Sequence, residues 1–284
     1  MFAPKMSADK ALAFDTSNYT TSAATLTVSG EVCNSKQLLP VESGKRGLRQ
    51  SDAVFAHTKQ LYDVFQSLDP SGIEAVGVST RPRSVECSYM PCFLAGESYA
   101  EVLSRAWGVP LFRFSHQQGH VAASVWSAGR MELLDKPHLA WHLSGGTTEL
   151  LYITPEGVSV HAEKIGGTTD ISAGQLIDRT GKLLGLPFPA GKSIDALSRG
   201  SDCRDRYRVK LHGLEFSFSG IQNKAEAFYA ATNSPADTAR FVMNCIVTCI
   251  ADATRAALAE KPGLPVVFSG GVASNSMLCE RMHG

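Results

Sequence analysis

Short apolar runs alternate with amphipathic stretches along this chain of 284 residues, a pattern typical of α/β proteins. The elements predicted in the first half are a three-strand meander over 11–39, helices over 51–68 and 94–107, and strands over 73–79 and 110–114. Ser51 and Ser115 are predicted N-caps, the second for a helix that follows the last of these strands. Helical spacing predicts a buried face on the first helix, formed by Val54, Phe55, Thr58, Leu61, Tyr62 and Phe65.

The second half repeats the alternation of strands and helices. The apolar run 138–141 predicts a buried strand, and further strands continue to about residue 165. Thr169 or Asp170 is the predicted cap of a helix that ends at Leu184. The remaining predicted elements are a helix that begins near Ser193, helices over 220–231 and 235–260, a strand over 265–268 and a final helix.

A turn with the sequence HLSGGTTEL, residues 142–150, organises the second half. Gly145 and Gly146 follow a strand, where glycine permits a positive φ and a close approach of the backbone to a ligand. Thr147 and Thr148 add hydroxyls, and the N–H groups of such a turn can bind phosphate or carboxylate oxygens. An ordinary hairpin turn is the alternative interpretation.

The same pattern occurs near the N-terminus, 127 positions earlier, so that Ser17 and Thr21 correspond to Ser144 and Thr148. An apolar strand precedes each turn and another follows it. Two related halves, each opening with such a hairpin, are typical of actin, hexokinase and the sugar kinases. We therefore predict a duplicated, actin-like α/β fold with a nucleotide cleft between two domains, 1–135 and 136–284, joined by the polar stretch 129–137.

Composition narrows the function classes. The 27 basic and 27 acidic residues cancel, whereas proteins that bind nucleic acid unaided usually carry a basic excess. A basic glycine-containing loop, 41–49, is either solvated or contacts an anionic partner. The seven scattered cysteines lack zinc-finger spacing, and no apolar run reaches membrane-spanning length, so we expect a reduced cytoplasmic protein without a membrane anchor.

Several residues are candidates for chemistry. His116 and His120 are separated by one helical turn and can bind one metal ion, or they can simply form hydrogen bonds at the helix start. Asp178 interrupts an apolar helix pattern, where a carboxylate can be solvated or can accept a hydrogen bond from a ligand hydroxyl. Gly270 and Gly271 follow another apolar strand and predict a second backbone approach to a ligand.

Seven blocks in order resemble the TsaD family of tRNA threonylcarbamoyltransferases, once described as O-sialoglycoprotein endopeptidases. They span almost the whole chain and read FDTSNYTTS, RQSDAVFAHTKQL, SHQQGH, LSGGTTEL, GGTTDISAGQLIDRTGKLLGLPFPAG, FSFSG and VVFSGGVASNS. The resemblance implies transfer of threonylcarbamoyl from threonylcarbamoyl-adenylate to the adenosine 3′ of the anticodon in tRNA. It also implies a TsaB-like actin-related partner subunit and a TsaE-like ATPase subunit.

The resemblance further assigns ligands. An iron or zinc ion would be bound by His116 and His120. The adenylate would contact His142, Leu143, Ser144, Gly145 and Gly146 through its phosphate and acyl group. Asp178 and Gly191 would bind its ribose and adenine, and Gly270, Gly271 and Asn275 would contact the nucleotide.

The chain departs from the family pattern at Gln118, Thr147 and Gln222, where the family has an acidic residue, a histidine and a lysine. The family's third metal ligand, an aspartate, follows the last helix, and the sequence ends inside that helix. The sequence therefore predicts a diverged, truncated member with weakly bound metal.

Three alternatives follow from the residues. A non-catalytic, nucleotide-binding scaffold subunit is the first. A sugar-kinase-like phosphotransferase would need an aspartate at a strand end, for which Asp15 is the only candidate on the first hairpin. A metalloprotease would need a glutamate beside its histidines, which HQQGH lacks. The sequence shows no Ser/His/Asp arrangement for a nucleophile.

Overall fold

The computed structural model describes residues 9–17, 19–40, 48–85 and 87–283, so most of the predicted basic loop, residues 41–47, lies outside the described residues. The chain forms two compact units, Met1–Val121 and Ala122–Gly284. Each unit has its own sheet with helices packed against it, and each is described separately below.

The first unit is built on a five-stranded sheet in the order β3-β2-β1-β4-β5. Strands β1 and β2 are antiparallel, as are β2 and β3, whereas β4 and β5 continue from β1 in parallel. The strands are β1 (Lys10–Asp15), β2 (Thr20–Thr27), β3 (Val32–Leu38), β4 (Ala75–Arg81) and β5 (Leu111–Ser115). Helices α1 (Gln50–Phe65) and α2 (Phe93–Trp107) pack on this sheet, and α3 (His116–Ser127) begins in this unit. The predicted meander over 11–39 is confirmed.

Helix α1 buries Leu61 as predicted, and Phe65 packs against the core, but the rest of its buried face differs from the prediction. Phe55 and Tyr62 are 67% and 63% exposed, and the helix starts after Arg49 instead of being capped by Ser51. The buried face includes His57 and Gln60, because Thr21 Oγ1 on β2 lies 2.8 Å from His57 Nδ1 and 2.9 Å from Gln60 Oε1. Apolar spacing could not reveal this contact, because the partner of the polar pair lies on another element.

The second unit is built on a five-stranded sheet in the order β10-β6-β7-β8-β9. The strands are β6 (His138–Leu143), β7 (Thr148–Glu156), β8 (Ser159–Thr168), β9 (Glu215–Phe216) and β10 (Val266–Ser269). Its helices are a 3₁₀ helix (Met131–Asp135), α4 (Ala173–Leu183), α5 (Gly191–Arg199), α6 (Ser219–Thr232), α7 (Pro235–Glu260) and α8 (Ser276–His283).

The start of α4 differs from the prediction. Ser172 is the N-cap and forms a capping box with Gln175, so neither Thr169 nor Asp170 has this role. The carboxylate of Asp170 instead accepts hydrogen bonds from the N–H groups of Phe218 at 2.9 Å and Ser219 at 3.1 Å. Burial alone raises the pKa of Asp170, but these bonds and those from the serine hydroxyls outweigh it and hold the pKa well below its usual range.

The two hairpins have the same strand register, which confirms the internal duplication. Leu12 pairs with Thr25 in the first unit, and Leu139 pairs with Tyr152 in the second, each partner shifted by the same 127 positions. A parallel strand flanks the first strand of each hairpin, β4 beside β1 and β10 beside β6. The hairpins belong to two separate sheets, as a duplicated fold requires.

Helix α7 forms the centre of the second core. Its length and hydropathy would allow a membrane crossing, but 67% of its most apolar window is buried within the protein. Trp141 on β6 is fully buried, and its indole N–H donates to Thr254 Oγ1 on α7 at 2.9 Å. The apolar faces of α7 are therefore used in packing against the sheet and the neighbouring helices.

Candidate functional site

The turn between β6 and β7 presents two open glycines. Ser144 N donates to Thr147 O at 2.9 Å, and Thr147 N donates to Ser144 Oγ at 3.1 Å, which closes the turn. Gly145 and Gly146 are exposed, and a Cβ at either position would meet no atom within 4 Å. Neither has a positive φ, so the expectation of left-handed backbone at these glycines is wrong. They leave the backbone accessible to a ligand instead.

The first turn of helix α4 holds this turn through two hydrogen bonds. Ser172 Oγ donates to Gly145 O at 2.7 Å, and Ala173 N donates to Thr148 Oγ1 at 2.8 Å. A Cβ on Gly174 would lie 2.5 Å from Gly145 Cα, so glycine is required for this approach. Because Thr148 is buried and bound to the helix start, its hydroxyl has a structural role in this unit.

The loop after β10 packs directly over the end of β6. Gly270 has a φ of +92°, and a Cβ there would lie 2.2 Å from Leu143 O. Val272 N donates to the same carbonyl at 2.9 Å. Gly271 is exposed, with open space around it. The sequence predicted that both glycines approach a ligand. In the structure the Gly270 backbone approaches the backbone of Leu143 instead, whereas Gly271 remains accessible.

Both the oxygen and the nitrogen of the Asn275 side-chain amide form hydrogen bonds within the protein. Its Oδ1 accepts from Met277 N at 3.1 Å and Leu278 N at 3.3 Å, which caps α8. Its Nδ2 donates to Asp195 Oδ1 on α5 at 2.8 Å. The sequence pointed to Asn275 as a nucleotide ligand but missed Asp195, which joins α5 to this loop.

Asp178 on α4 and Gly191 at the start of α5 are joined through the backbone of Ala190. Asp178 is half-buried, and its Oδ1 accepts from Ala190 N at 2.8 Å, immediately before Gly191 opens α5. The carboxylate therefore fixes the position of the exposed Gly191. His142 is half-buried, with Nδ1 3.5 Å from Ser269 Oγ, while the Leu143 side chain is fully buried in the core and offers only its backbone.

These contacts bring the predicted nucleotide residues of the second unit together. The turn, the loop after β10 and the start of α5 are joined by Leu143 O, by Asp195 and by α4. In this joined group of turn, loop and helix start, the backbone is exposed at Gly145, Gly146, Gly191 and Gly271. Accessible backbone at helix starts and strand ends suits anionic and hydroxyl groups.

The first unit brings the two predicted metal ligands together on α3. The rings of His116 and His120 have centroids 4.2 Å apart in an edge-to-face arrangement. His116 Nδ1 lies 2.8 Å from Asp15 Oδ2, and His116 Nε2 lies 3.5 Å from Ser17 Oγ. An alignment of Ser17, His116 and Asp15 therefore exists, contrary to the sequence expectation, because residues 99 and 101 positions apart meet only in the fold.

Asp15 is held as an anion at the end of β1. Burial alone raises its pKa, but hydrogen bonds from His116, Ser17 and Ser79 outweigh this effect and keep the pKa well below its usual range. The sequence singled out Asp15 only as a possible kinase aspartate. Its place at the C-terminal end of a strand was the signal that it lies near a site.

Gln118 closes the start of α3. Its Oε1 accepts from Ser115 N at 2.7 Å, and Gln118 N donates to Ser115 Oγ at 3.2 Å, which together form a capping box. The predicted cap at Ser115 is confirmed. An amide serves this purpose as well as a carboxylate, so the departure at Gln118 is compatible with the helix that carries both histidines.

The fit of this site to a metal can be judged from its donors. In the described part of the chain, no group of three or more His, Cys, Asp or Glu residues could hold a metal ion. His116 and His120 offer two imidazoles from one helix, a donor type that iron and zinc accept, and the carboxylate at Nδ1 of His116 is the support that metal-binding histidines usually have.

Comparison with known proteins places the chain in a family. The model of TsaD, tRNA N6-adenosine threonylcarbamoyltransferase, matches residues 63–284. This chain belongs to the TsaD family. The match contains both histidines and every predicted nucleotide residue.

Curated relatives of this TsaD family member carry the same description. A tRNA N6-adenosine threonylcarbamoyltransferase of Streptococcus suis (strain 05ZYH33) is 36% identical over 198 residues, covering 66% of this chain and 57% of the relative. One of Streptococcus pneumoniae (strain Taiwan19F-14) is 31% identical over 283 residues, covering 95% of this chain and 82% of the relative. The chain thus spans little more than half of the first relative.

Solved structures confirm the fold of this TsaD family member. Full-length HypF in its phosphate- and nucleotide-bound form has a TM-score of 0.59 at 14% identity, covering 96% of this chain and 50% of HypF. Lmo2764 of Listeria monocytogenes, a putative N-acetylmannosamine kinase, has a TM-score of 0.52 at 14% identity, covering 96% of this chain and 88% of that protein. At these identities the likeness concerns the fold alone, which is the predicted actin-like α/β class.

Proposed function

We propose that this chain is a tRNA threonylcarbamoyltransferase, which transfers threonylcarbamoyl from threonylcarbamoyl-adenylate to N6 of the tRNA adenosine 3′ of the anticodon. Its family supports this reaction, and so does the description of its relatives. The observation that carries the proposal is the interlocked set of open backbone positions around Gly145, Gly191 and Gly271.

The adenylate would be bound by these backbone positions. The N–H groups of Gly145 and Gly146 would donate to its phosphate, since both glycines are exposed and have open space around them. Asp178 on α4, which accepts from Ala190 N at the start of α5, would also accept from the ribose hydroxyls beside Gly191. Gly270 supports this arrangement by its close packing on Leu143, while Gly271 would contact the nucleotide and Asn275 would hold the loop.

A divalent metal, iron or zinc, would be held by His116 and His120, and when bound it supplies a Lewis acid that polarises a carbonyl or phosphoryl oxygen. His116 would offer Nε2, because Nδ1 is engaged by Asp15. The chain's own contribution is to orient both imidazoles from one helix whose first turn is fixed by Ser115 and Gln118.

The reaction needs no protein nucleophile. The N6 amine attacks the carbamoyl carbon, a C–N bond forms, and the C–O bond to the phosphate breaks so that AMP leaves and N6 loses a proton. The mixed anhydride is already activated, so donors that stabilise the oxygen charge developing during attack are sufficient. The backbone N–H groups at Gly145 and Gly146 suit the departing phosphate.

The proposal includes its setting. Because the chain has zero net charge, tRNA would be bound with help from other subunits, namely a TsaB-like actin-related partner and a TsaE-like ATPase. The location would be the cytoplasm, and the functional halves would be 1–135 and 136–284.

The test combines binding and transfer in the full chain. AMP binding is measured by calorimetry, and the modified nucleoside is measured by mass spectrometry after incubation with threonylcarbamoyl-adenylate, tRNA and both partner subunits. Gly146→Ala should weaken AMP binding, whereas Gly220→Ala, another open glycine, should leave it unchanged. AMP binding without any transfer would support a scaffold role, and the absence of both would overturn the proposal.

A further inference from the structure

Asp15 is the last residue of β1, and its carboxylate faces His116 at the start of α3. The distance between Asp15 Oδ2 and His116 Nδ1 is 2.8 Å, a hydrogen bond that also pairs the two as ions when the imidazole is protonated. The two residues are 101 positions apart, so the contact is a product of the tertiary structure. It joins the central strand of the sheet to the helix that carries both histidines.

The carboxylate is fixed by its surroundings. Asp15 Oδ1 accepts from Ser17 N at 2.9 Å, and Ser22 Oγ donates to the backbone carbonyl of Asp15 at 3.0 Å. The next residue, Thr16, is fully buried, and its hydroxyl donates to Cys92 O at 2.9 Å beside α2. The oxygen that meets His116 therefore projects from a rigid strand end.

This contact decides which imidazole nitrogen can bind a metal. A carboxylate oxygen accepts in such a contact, so the N–H that donates across the 2.8 Å belongs to Nδ1 of His116. A neutral imidazole with hydrogen on Nδ1 has its lone pair on Nε2. Metal-binding histidines typically donate their other N–H to a carboxylate, which fixes the tautomer and the ring orientation.

We propose that Asp15 is a positioning residue of the metal site, which holds His116 in the tautomer and orientation that present Nε2 to the metal. The inference rests on the proposed function, in which His116 and His120 bind that metal. The ring of His120, whose centroid lies 4.2 Å from that of His116, supplies the second imidazole on the same helix.

The same alignment has a second chemical interpretation. With Ser17 Oγ 3.5 Å from His116 Nε2, the three side chains have the order of a serine nucleophile, its base and its orienting acid. The adjacent His120 favours the metal, because a second imidazole beside the base has no part in serine catalysis. The distance of 3.5 Å is also at the upper limit of a hydrogen bond.

The first experiment reads the tautomer without metal. Imidazole ¹⁵N spectra of the full chain should show hydrogen on Nδ1 and not on Nε2 of His116. Asp15→Asn should lose this preference, because an amide can donate as well as accept. Asp15→Glu keeps a carboxylate and should largely restore it. Hydrogen on Nε2 of His116 in the wild type would overturn the proposal.

The second experiment measures Zn²⁺ affinity by competition with a chromophoric chelator. Asp15→Asn should lower the affinity about 10–100-fold, the usual effect of losing such a support. In the background of His116→Ala, Asp15→Asn should cause no further loss, since it acts through that ring. Asp69→Asn removes an exposed carboxylate of the same unit and should leave the affinity unchanged.

The outcomes separate the two proposals. Equal Zn²⁺ affinity in the wild type and Asp15→Asn overturns the positioning role while the metal site stands. If the wild type binds no Zn²⁺, the metal assignment of the proposed function and the metal role of Asp15 are both overturned, even where the tautomer is as expected. Covalent labelling of Ser17 by a fluorophosphonate would assign the pair to a serine nucleophile and overturn the proposal. Thermal unfolding of each variant shows that it is folded.

Discussion

The side-chain amide of Asn275 donates a hydrogen bond of 2.8 Å to Asp195 Oδ1, which joins the loop after β10 to α5. The same oxygen accepts from the N–H of Ser276 at 3.0 Å and from its hydroxyl at 2.8 Å. Asn275 is buried, and its Oδ1 caps α8. One carboxylate oxygen thus holds the loop in which Gly270 and Gly271 lie. A substitution at Asp195 should therefore destabilise this loop.

Asp195→Ala should lower the free energy of unfolding by about 1–3 kcal/mol, because the buried amide of Asn275 would lose its acceptor. Urea denaturation followed by tryptophan fluorescence measures this effect. Asp202→Ala, which removes an exposed carboxylate from the same unit, should change it little. Equal unfolding midpoints for the two variants would contradict the structural role of Asp195.

Gly270→Ala and Gly271→Ala should separate stability from binding. At Gly270 the φ of +92° alone costs an alanine about 1–3 kcal/mol, and its Cβ would also meet Leu143 O at 2.2 Å. At Gly271 a Cβ meets nothing, so the protein should keep its stability while AMP binding weakens. Thermal unfolding and calorimetry of both variants measure the two effects. A Gly270→Ala protein as stable as the wild type would refute the required backbone conformation.

Asp178→Ala should weaken AMP binding by roughly 1–3 kcal/mol, the range for a charged hydrogen-bond partner. Asp178→Asn keeps an oxygen for Ala190 N and should lose less, since the start of α5 stays in place. Lys182→Ala, on an exposed position of the same helix, is the control. Calorimetry giving one affinity for the wild type and Asp178→Ala would rule out a ribose contact.

Cys245 and Cys249 should resist alkylation at pH 8 in the folded protein, while the exposed Cys33 and Cys87 react. Burial raises the pKa of Cys245 to about 11 and that of Cys249 further, so at pH 8 both remain thiols, and the thiolate is the reactive form. Mass spectrometry after iodoacetamide treatment maps the modified sites. Early modification of Cys249 in folded protein would contradict the packing of α7.

Local pattern predicted much of the fold. The meander, both hairpins, the histidine-bearing helix and the long helix α7 follow from periodicity, and the repeated S-x-x-T-T spacing anticipates equal registers in the two sheets. These features depend on neighbours along the chain, which is why sequence spacing contains them. The blocks that resemble the TsaD family were likewise readable, since each is a short contiguous stretch.

The sequence by itself determined the α/β class, the duplication, the family and the positions of the glycine turns and histidines. Only the tertiary structure decided which polar groups meet. Thr21 contacts His57, which is buried on α1 while Phe55 is exposed. Asn275 donates to Asp195, and Asp15 contacts His116 across 101 positions. Hydrogen bonds act over about 3 Å and depend on direction, so partners on different elements are set by how those elements pack and leave no spacing in the sequence.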